Sequence, residues 1–345
     1  MIIMADFGGT RIKLGVVENG IVRAHKAIDS YSGLPFSKWI HLLKDDLRGL
    51  CSMVGVRLFE VEAMVWALPL LIDLEHRHAT CSFGKFEDTM QSNFCEEVEK
   101  VIGISLLLEN DARAALIGEW QAGSARGRDN VVMVTLGTGI GTGVIFDGKP
   151  MRGRSGMAGN LGGLSITHMG SEGFNGRPPG CIESHVATWA LPKRARRMEG
   201  FKNSSLSSEP DIDYLAVFTH AKQGDALACI LRDNAFQAWG ALALNMIQAY
   251  DPECVIFGGG VMASENEILP AIKDFVSDHA VQSGGPVELV AAELGDHAAL
   301  IGGEWIWKTR VKRAPLHKHP KIKIIESQGN KFLINEEGDA KPINS

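Results

Sequence analysis

The sequence predicts an α/β fold of two related halves with mixed sheets, and three observations predict it. The first is a glycine-rich stretch, Thr135-Leu136-Gly137-Thr138-Gly139-Ile140-Gly141-Thr142-Gly143-Val144, set between the apolar runs Val131–Val134 and Val144–Phe146. The second is a copy of its grammar near the N-terminus. There a buried strand runs into Asp6-Phe7-Gly8-Gly9-Thr10, and a second strand ends at Asn19-Gly20. Gly9, Gly15 and Gly20 each precede Gly137, Gly143 and Gly148 by 128 residues, and Thr10 precedes Thr138 by the same offset. The third is that strand and helix patterns follow one another in both halves.

The elements follow in order. Each half opens with strand, glycine turn, strand and a two-residue hairpin turn, Asn19-Gly20 or Asp147-Gly148. Residues 36–53 read as a helix, with Trp39, Leu42, Leu43, Leu47 and Leu50 at helical spacing. Residues 61–68 read as a buried strand ended by Pro69, and 92–102 as a helix. An apolar strand, 104–108, runs into Glu109-Asn110-Asp111, and 112–121 is the helix after it. The polar connection 123–129 marks a boundary. An N-terminal domain is expected over 1–122 and a C-terminal one over 123–297, with 298–310 returning to the first. Residues 151–185 hold many glycines and prolines and read as a long functional loop. Helices are expected over 184–199 and 225–250, the second with Leu231, Ala235, Ala238, Leu242 and Met246 on one face. A short strand, 254–257, ends in Gly258-Gly259-Gly260. A helix over 267–279, a strand over 287–291 and a helix over 298–308 complete the pattern. Residues 311–345 read as an appended hairpin, Ile322–Ile325 and Phe332–Ile334 around Gln328-Gly329-Asn330.

Composition narrows the function. A chain of 345 residues suggests about two domains with ample core. A net charge of −6 offers no basic surface for nucleic acid. No apolar run reaches the roughly 20 residues of a membrane helix, so no membrane partner is expected. The first strand starts at once, with no basic leader, which points away from a signal peptide. Six scattered cysteines form no Cys-x-x-Cys pair and read as free cytoplasmic thiols.

Glycines at alternate positions clear side chains from the backbone, so the N–H groups of Gly137, Thr138 and Gly139 suit an anion such as phosphate. An ordinary glycine-rich hairpin would look the same, but the second copy favours a nucleotide clamp. Asp6, beside Gly8, Gly9 and Thr10, suits Mg²⁺ bridging ATP phosphates, or merely caps its own turn. Lys13 faces phosphate or solvent. Asp111 opens a helix, where an Asp commonly caps. A kinase acting on an alcohol, however, needs one carboxylate to take the hydroxyl proton.

Five ordered motifs carry a family resemblance. They are Asp6-x-Gly8-Gly9-Thr10-x-x-Lys13, Asn110-Asp111-Ala112, Leu136-Gly137-Thr138-Gly139-Ile140-Gly141, Gly180-Cys181-x-Glu183 and Asp251-Pro252-x-x-Val255-x-x-Gly258-Gly259-Gly260. Over about residues 2–308 the chain resembles the ROK family of repressors and sugar kinases. The resemblance implies an actin-like ATPase fold, two RNase H-like domains around a central cleft. It implies Asp111 as catalytic base, with Asn110, Asn160 and Glu183 at the sugar. It implies Gly9, Thr10, Thr138 and Gly139 at the phosphates, and Gly258 and Gly259 beside adenosine.

Departures from the family pattern matter equally. The family carries Glu-x-Gly-His after a Gly-x-x-Gly-x-Ala-Gly run. After Gly153-x-x-Gly156-x-Ala158-Gly159 this chain has Asn160-Leu161-Gly162-Gly163. Asn160 stands for the glutamate and Gly163 for the histidine. The family's cysteine-rich zinc stretch is Phe174-Asn175-Gly176-Arg177-Pro178-Pro179-Gly180-Cys181 here, so only Cys181 survives. A structural zinc needs about four ligands, and His168 and His185 do not make up the number, so no zinc is expected. The expectation is a cytoplasmic, homodimeric kinase that uses ATP and Mg²⁺ on a hexose or N-acylhexosamine at O6. The alternatives are a catalytically weak sugar sensor and a repressor without its DNA-binding domain.

Overall fold

The computed structural model describes residues 1–31, 33–74, 76–81, 86–163, 180–279 and 285–310, and the backbone of 323–327, 330–334 and 340–343. Two compact units emerge. Residues 1–129, 143–159 and 292–345 form one, and 130–142 and 160–291 form the other.

The chain begins with β1 (Ile2–Phe7), β2 (Arg11–Glu18) and β3 (Ile21–Asp29). Next come α1 (Phe36–Ser52), β4 (Met64–Leu68), the small hairpin β5 (Leu71–Asp73) and β6 (His78–Cys81), α2 (Phe94–Ile102), β7 (Leu106–Asn110) and α3 (Asp111–Ala122). It continues through β8 (Val131–Leu136), β9 (Ile140–Phe146), β10 (Lys149–Pro150), α4 (Ile182–Val186), α5 (Leu191–Arg197), α6 (Tyr214–Lys222) and α7 (Ala226–Tyr250). Then follow β11 (Cys254–Gly258), α8 (Glu265–His279), β12 (Glu288–Ala291), α9 (Ala298–Arg310) and the strands β13 (Lys323–Ser327), β14 (Asn330–Ile334) and β15 (Ala340–Ile343).

One sheet has the order β3-β2-β1-β4-β7 and the other β10-β9-β8-β11-β12. In the first, β1–β2 and β2–β3 are antiparallel, and β1–β4 and β4–β7 are parallel. In the second, β9–β10 is antiparallel, and β8–β11 and β11–β12 are parallel. The two orders correspond strand for strand, so the repeat read from the glycines is a repeat of sheet topology. Both hairpin turns have the left-handed backbone expected of a type I′ turn, with φ of 53° and 77° at Asn19-Gly20 and 49° and 65° at Asp147-Gly148.

Apolar periodicity explains most elements. In the first unit α1 buries Trp39, Ile40, Leu43, Leu47 and Leu50. Trp39 and Trp66 join Phe7 and Phe94 in an aromatic cluster, with Phe7 and Trp66 centroids 4.9 Å apart. Leu42, expected on the inner face, is 48% exposed, since Leu43 and Ile40 fill the stripe. In the second unit α7 buries Leu231, Ala235, Leu242 and Met246 as read, while Trp239 rather than Ala238 lies fully inside. Asp251 stops α7 in the left-handed conformation (φ 43°), which Asp tolerates, and Pro252 cannot continue the helix.

Three local expectations change. The helix read over 184–199 is two, α4 and α5, because Ala187 turns extended (ψ 149°) and Pro192 starts a new helix in its first turn. The appended hairpin has a third strand, β15, antiparallel to β14. Ile322 and the turn residues Gln328 and Gly329 lie outside the described residues. The β5–β6 hairpin, only three and four residues long, left no readable alternation.

Helices α3 and α9 cross inside the first unit with their backbones almost touching. A Cβ on Gly118 would lie 1.8 Å from the Ala298 carbonyl oxygen, and one on Gly302 2.1 Å from that of Ala114. All six cysteines are free. Among the described residues no helix is long and apolar enough to cross a membrane.

Asp225 caps α7. Its carboxylate accepts from the Ala228 N–H at 2.9 Å, the Ser205 N–H at 2.7 Å and the hydroxyls of Ser204 and Ser205. Burial raises its pKa, but these donors together hold it down at about 2. A depressed carboxylate stabilises fully above its unfolded value, and the stabilisation fades as pH falls through the folded one. Asp225→Ala is expected to cost about 1–2 kcal/mol in urea unfolding at neutral pH. The gap between mutant and wild type should narrow from the ordinary value of 3.8 down to about 2. Equal neutral-pH midpoints would refute the cap.

Candidate functional site

The first unit presents two groups of expected site residues. Strand β7 is paired in parallel with β4, Leu68 opposite Asn110, and carries the chain straight into α3. Here the capping residue is Asn110. Its Oδ1 accepts the Arg113 N–H at 3.0 Å, and its backbone is extended (φ −72°, ψ 140°). Asp111 is therefore the first helical residue, and its Oδ1 accepts from the Ala112 N–H at 2.7 Å and from Asn110 Nδ2 at 3.0 Å. Asn110 Nδ2 also reaches the Leu70 carbonyl at 3.3 Å. The helix N-terminus favours a negative charge at this position.

The second group follows β1. The Gly8 N–H donates to the Arg11 carbonyl at 2.9 Å, which closes a turn so tight that a Cβ on Gly8 would sit 2.7 Å from that oxygen. Asp6, 19% exposed, lies beside this turn with Lys13 Nζ 3.8 Å from its Oδ2. The same ammonium is 2.7 Å from Asp296 Oδ1, a residue the sequence did not single out. Burial raises the Asp6 pKa, Lys13 opposes it, and Asp296 adds to it. Asp6 is thus a carboxylate in want of positive charge. That donor chemistry fits Mg²⁺, which binds through one or two carboxylates plus phosphate oxygens and keeps its waters. Among the described residues no group of three or more His, Cys, Asp or Glu could hold a metal by itself.

The second unit gathers the remaining residues. The Gly137 N–H donates to the Gly139 carbonyl at 3.0 Å, which curls the turn after β8. The carbonyls of Gly137 and Thr138 accept from the Thr188 and Trp189 N–H groups at 3.2 and 3.1 Å. Glu183, buried in α4, packs under this turn, and its Oε1 would be 2.5 Å from a Cβ on Gly139. Trp189 Nε1 donates to the same oxygen at 3.4 Å. The Glu183 N–H donates to the Gly162 carbonyl at 3.2 Å, which ties the Asn160–Gly163 segment to the same place. Gly259 (φ 92°) lies against the end of β8, where a Cβ would be 2.4 Å from the Leu136 carbonyl oxygen. Glycine is required there. The residues assigned to sugar (Asn160, Glu183) and to nucleotide (Gly137, Thr138, Gly139, Gly258, Gly259) therefore share one unit.

Sequence reasoning missed a charged hub next to the Asn110–Asp111 pair. Glu109 is fully buried, with Arg113, Arg152 and Arg310 on its carboxylate. Burial alone would raise its pKa, yet the three guanidiniums bring it down to about 2. Its only sequence signal was its place before Asn110, because the arginines come from positions 113, 152 and 310. Residues 174–179 of the former zinc stretch, and His168, lie outside the described residues. Cys181 is buried with its sulfur 3.0 Å from Ser184 Oγ, and burial lowers the pKa of the nearby His185.

The chain is similar to several known sugar kinases. A glucokinase from Thermotoga maritima is 33% identical over 324 residues, 90% of this chain and 98% of that one. A glucokinase from Streptomyces coelicolor is 28% identical over 311 residues, 86% and 94% of the two chains. Among solved structures, a ROK family glucokinase from Streptomyces griseus in complex with glucose and AMPPNP superposes with a TM-score of 0.73 at 26% identity, covering 88% and 98% of the chains. A ROK hexokinase from Thermus thermophilus gives 0.69 at 26%, covering 88% and 96%. The duplicated sheets are those of the actin-like ATPase fold. A profile described as the ROK family matches residues 2–310, and the chain belongs to that family.

Proposed function

We propose that this chain transfers the γ-phosphoryl group of ATP to a sugar hydroxyl, with Asp111 as the general base. The observation that carries the reading is the division of labour at the start of α3. Asn110 caps the helix, so Asp111 is not consumed as its N-cap. Its carboxylate sits at the positive end of α3 and takes the hydroxyl proton as the sugar oxygen attacks phosphorus. The Gly8-Gly9-Thr10 and Gly137-Thr138-Gly139 turns offer backbone N–H groups and hydroxyls to phosphate oxygens, and Lys13 adds a cation. Gly258 and Gly259 leave room for adenosine. Asp6 would hold Mg²⁺, which when bound neutralises charge on the β- and γ-phosphates. The relatives named glucokinase and hexokinase support a hexose, and the family resemblance extends this to an N-acylhexosamine and to O6, with Asn110, Asn160 and Glu183 on its hydroxyls. In this reading the enzyme acts in the cytoplasm as a homodimer, without nucleic acid or membrane.

One feature favours a second reading, weak turnover by a sugar sensor. Among the described residues a Cβ on Gly163 would meet nothing within 4 Å, and Asn160 and Gly163 stand where the family carries glutamate and histidine. A pocket lacking those polar groups loses discrimination between sugars. A panel of hexoses, N-acetylhexosamines and ketoses with ATP, followed by ADP release, separates the readings. The expected result is broad activity, or a preference unlike that of a strict glucokinase.

Asp111→Ala is expected to lower kcat by about 10²- to 10⁴-fold, with sugar and ATP affinity near normal by calorimetry. Turnover close to wild type would remove Asp111 from the role. The pair Asn160→Glu and Gly163→His should raise kcat/KM for glucose relative to the preferred sugar. The two should act non-additively, since they would share one ligand. A folded double variant with no gain for glucose would sink the argument about the wall.

A further inference from the structure

Glu109 is a fully buried carboxylate near the end of β7. Such a group survives only if its charge is matched and its lone pairs are filled. Both oxygens are filled, each by a different side of the structure. Oε1 accepts the Asn110 backbone N–H at 3.0 Å and Arg113 Nη1 at 2.7 Å. Oε2 accepts Arg152 Nη2 at 3.0 Å and Arg310 Nη2. The arginines reach on to further backbone. Arg113 Nη2 donates to the carbonyls of Gly156 at 2.7 Å and Ala158 at 3.3 Å. Arg310 Nη1 donates to Leu108 at 2.8 Å.

Among the described residues three arginines converge on Glu109, and Arg152 and Arg310 keep part of their side chains in solvent, where their charge is tolerated. The connections show what the arrangement gains. Arg113 belongs to the helix that starts with Asp111. Arg152 opens the glycine run 153–159, and Arg310 ends α9. The single carboxylate ties all three to the peptide immediately before the cap of α3. Glycines make the run 153–159 pliant, with φ of 65°, 77° and 81° at Gly153, Gly156 and Gly159, so its position depends on what holds it.

We infer that Glu109 is a positioning residue for phosphoryl transfer. Through Arg113, Arg152 and Arg310 it sets the Asn110–Asp111 turn against the glycine run 153–159. The inference rests on the reading of Asp111 as base. Its consequence is kinetic, since a misplacement of about 1 Å at a reacting group costs up to about 10²-fold in rate.

The test uses the full chain with glucose and ATP, in four variants: Glu109→Gln, Arg152→Met, Arg152→Lys and Asp111→Ala. Arg152 is 26% exposed, so its replacement keeps the test open where Glu109→Gln does not fold. Expected is a fall in kcat of about 10²-fold for Glu109→Gln and about tenfold for Arg152→Met. Affinity for AMPPNP should stay near wild type, and Arg152→Lys should recover most of the loss by restoring a cation. A lower melting temperature with unchanged kcat per folded molecule in Arg152→Met would overturn the inference. If Asp111→Ala is inactive while the folded Glu109 and Arg152 variants turn over normally, only this inference fails. If Asp111→Ala itself turns over, the base assignment fails first.

Discussion

The first unit depends on one close contact, the crossing of α3 and α9. The two helices carry nearly the same words, Ala114-Ala115-Leu116-Ile117-Gly118-Glu119-Trp120 and Ala298-Ala299-Leu300-Ile301-Gly302-Gly303-Glu304-Trp305. They meet reciprocally, the glycine of each against the first alanine's carbonyl of the other. Any Cβ at either glycine would collide with backbone, which cannot move aside as a side chain can. The approach lets Trp120 and Trp305 pack edge to face at 5.4 Å. It also places polar groups from the end of the chain where the start needs them. Glu304 accepts the N–H groups of Asn19 and Gly20 at the first hairpin turn, and Glu119 accepts the Leu294 N–H at 2.8 Å. Arg310 could not reach Glu109 if α9 lay elsewhere.

Much of this architecture was legible because it rests on short-range chemistry. A strand, a glycine turn, a second strand and Asn-Gly or Asp-Gly allow few backbones, and both hairpins adopt the left-handed pair that the dipeptides demand. Helix α1 and most of α7 followed from apolar spacing. Errors fell where local pattern is ambiguous. Leu42 fits the helical stripe on paper but lies on its margin, and the 184–199 segment had helical composition on both sides of a break. The β5–β6 hairpin was too short for its alternation to show.

The candidate site was legible in a different measure. Glycine turns announce themselves because the backbone needs them locally, and Gly8, Gly139 and Gly259 each sit where a Cβ would strike a neighbouring atom. Asn110 and Asp111 were found as a pair, but which of the two caps the helix had to be seen. The supporting charges were invisible for a physical reason. Lys13 meets Asp296, and Glu109 meets arginines on other elements, so nothing in the spacing of either predicts its partners. Glu183 shows the converse. It was picked out by motif, and its buried position under Gly139 explains why that glycine and that glutamate occur together.

The repeat also shows why a duplicated scaffold holds one Asn-Asp pair at a helix start and not two. Aligning Ala114 with Ala298 sets Glu109-Asn110-Asp111-Ala112-Arg113 beside Glu293-Leu294-Gly295-Asp296-His297. Both helices thus inherit a glutamate before the turn, yet the environments have diverged. Glu109 is fully buried under three arginines, whereas Glu293 is exposed and Leu294 takes the place of the capping Asn110. Gly295 stands where Asp111 stands, so no carboxylate occupies the matching position. The nearest one, Asp296, turns to Lys13 beside the glycine turn after β1. A helix N-terminus attracts negative charge wherever it occurs. Here one copy presents that charge as the residue after its own cap, and the other uses it to hold a lysine. Duplication therefore supplied two equivalent frames, and the side chains at three or four positions divided their tasks.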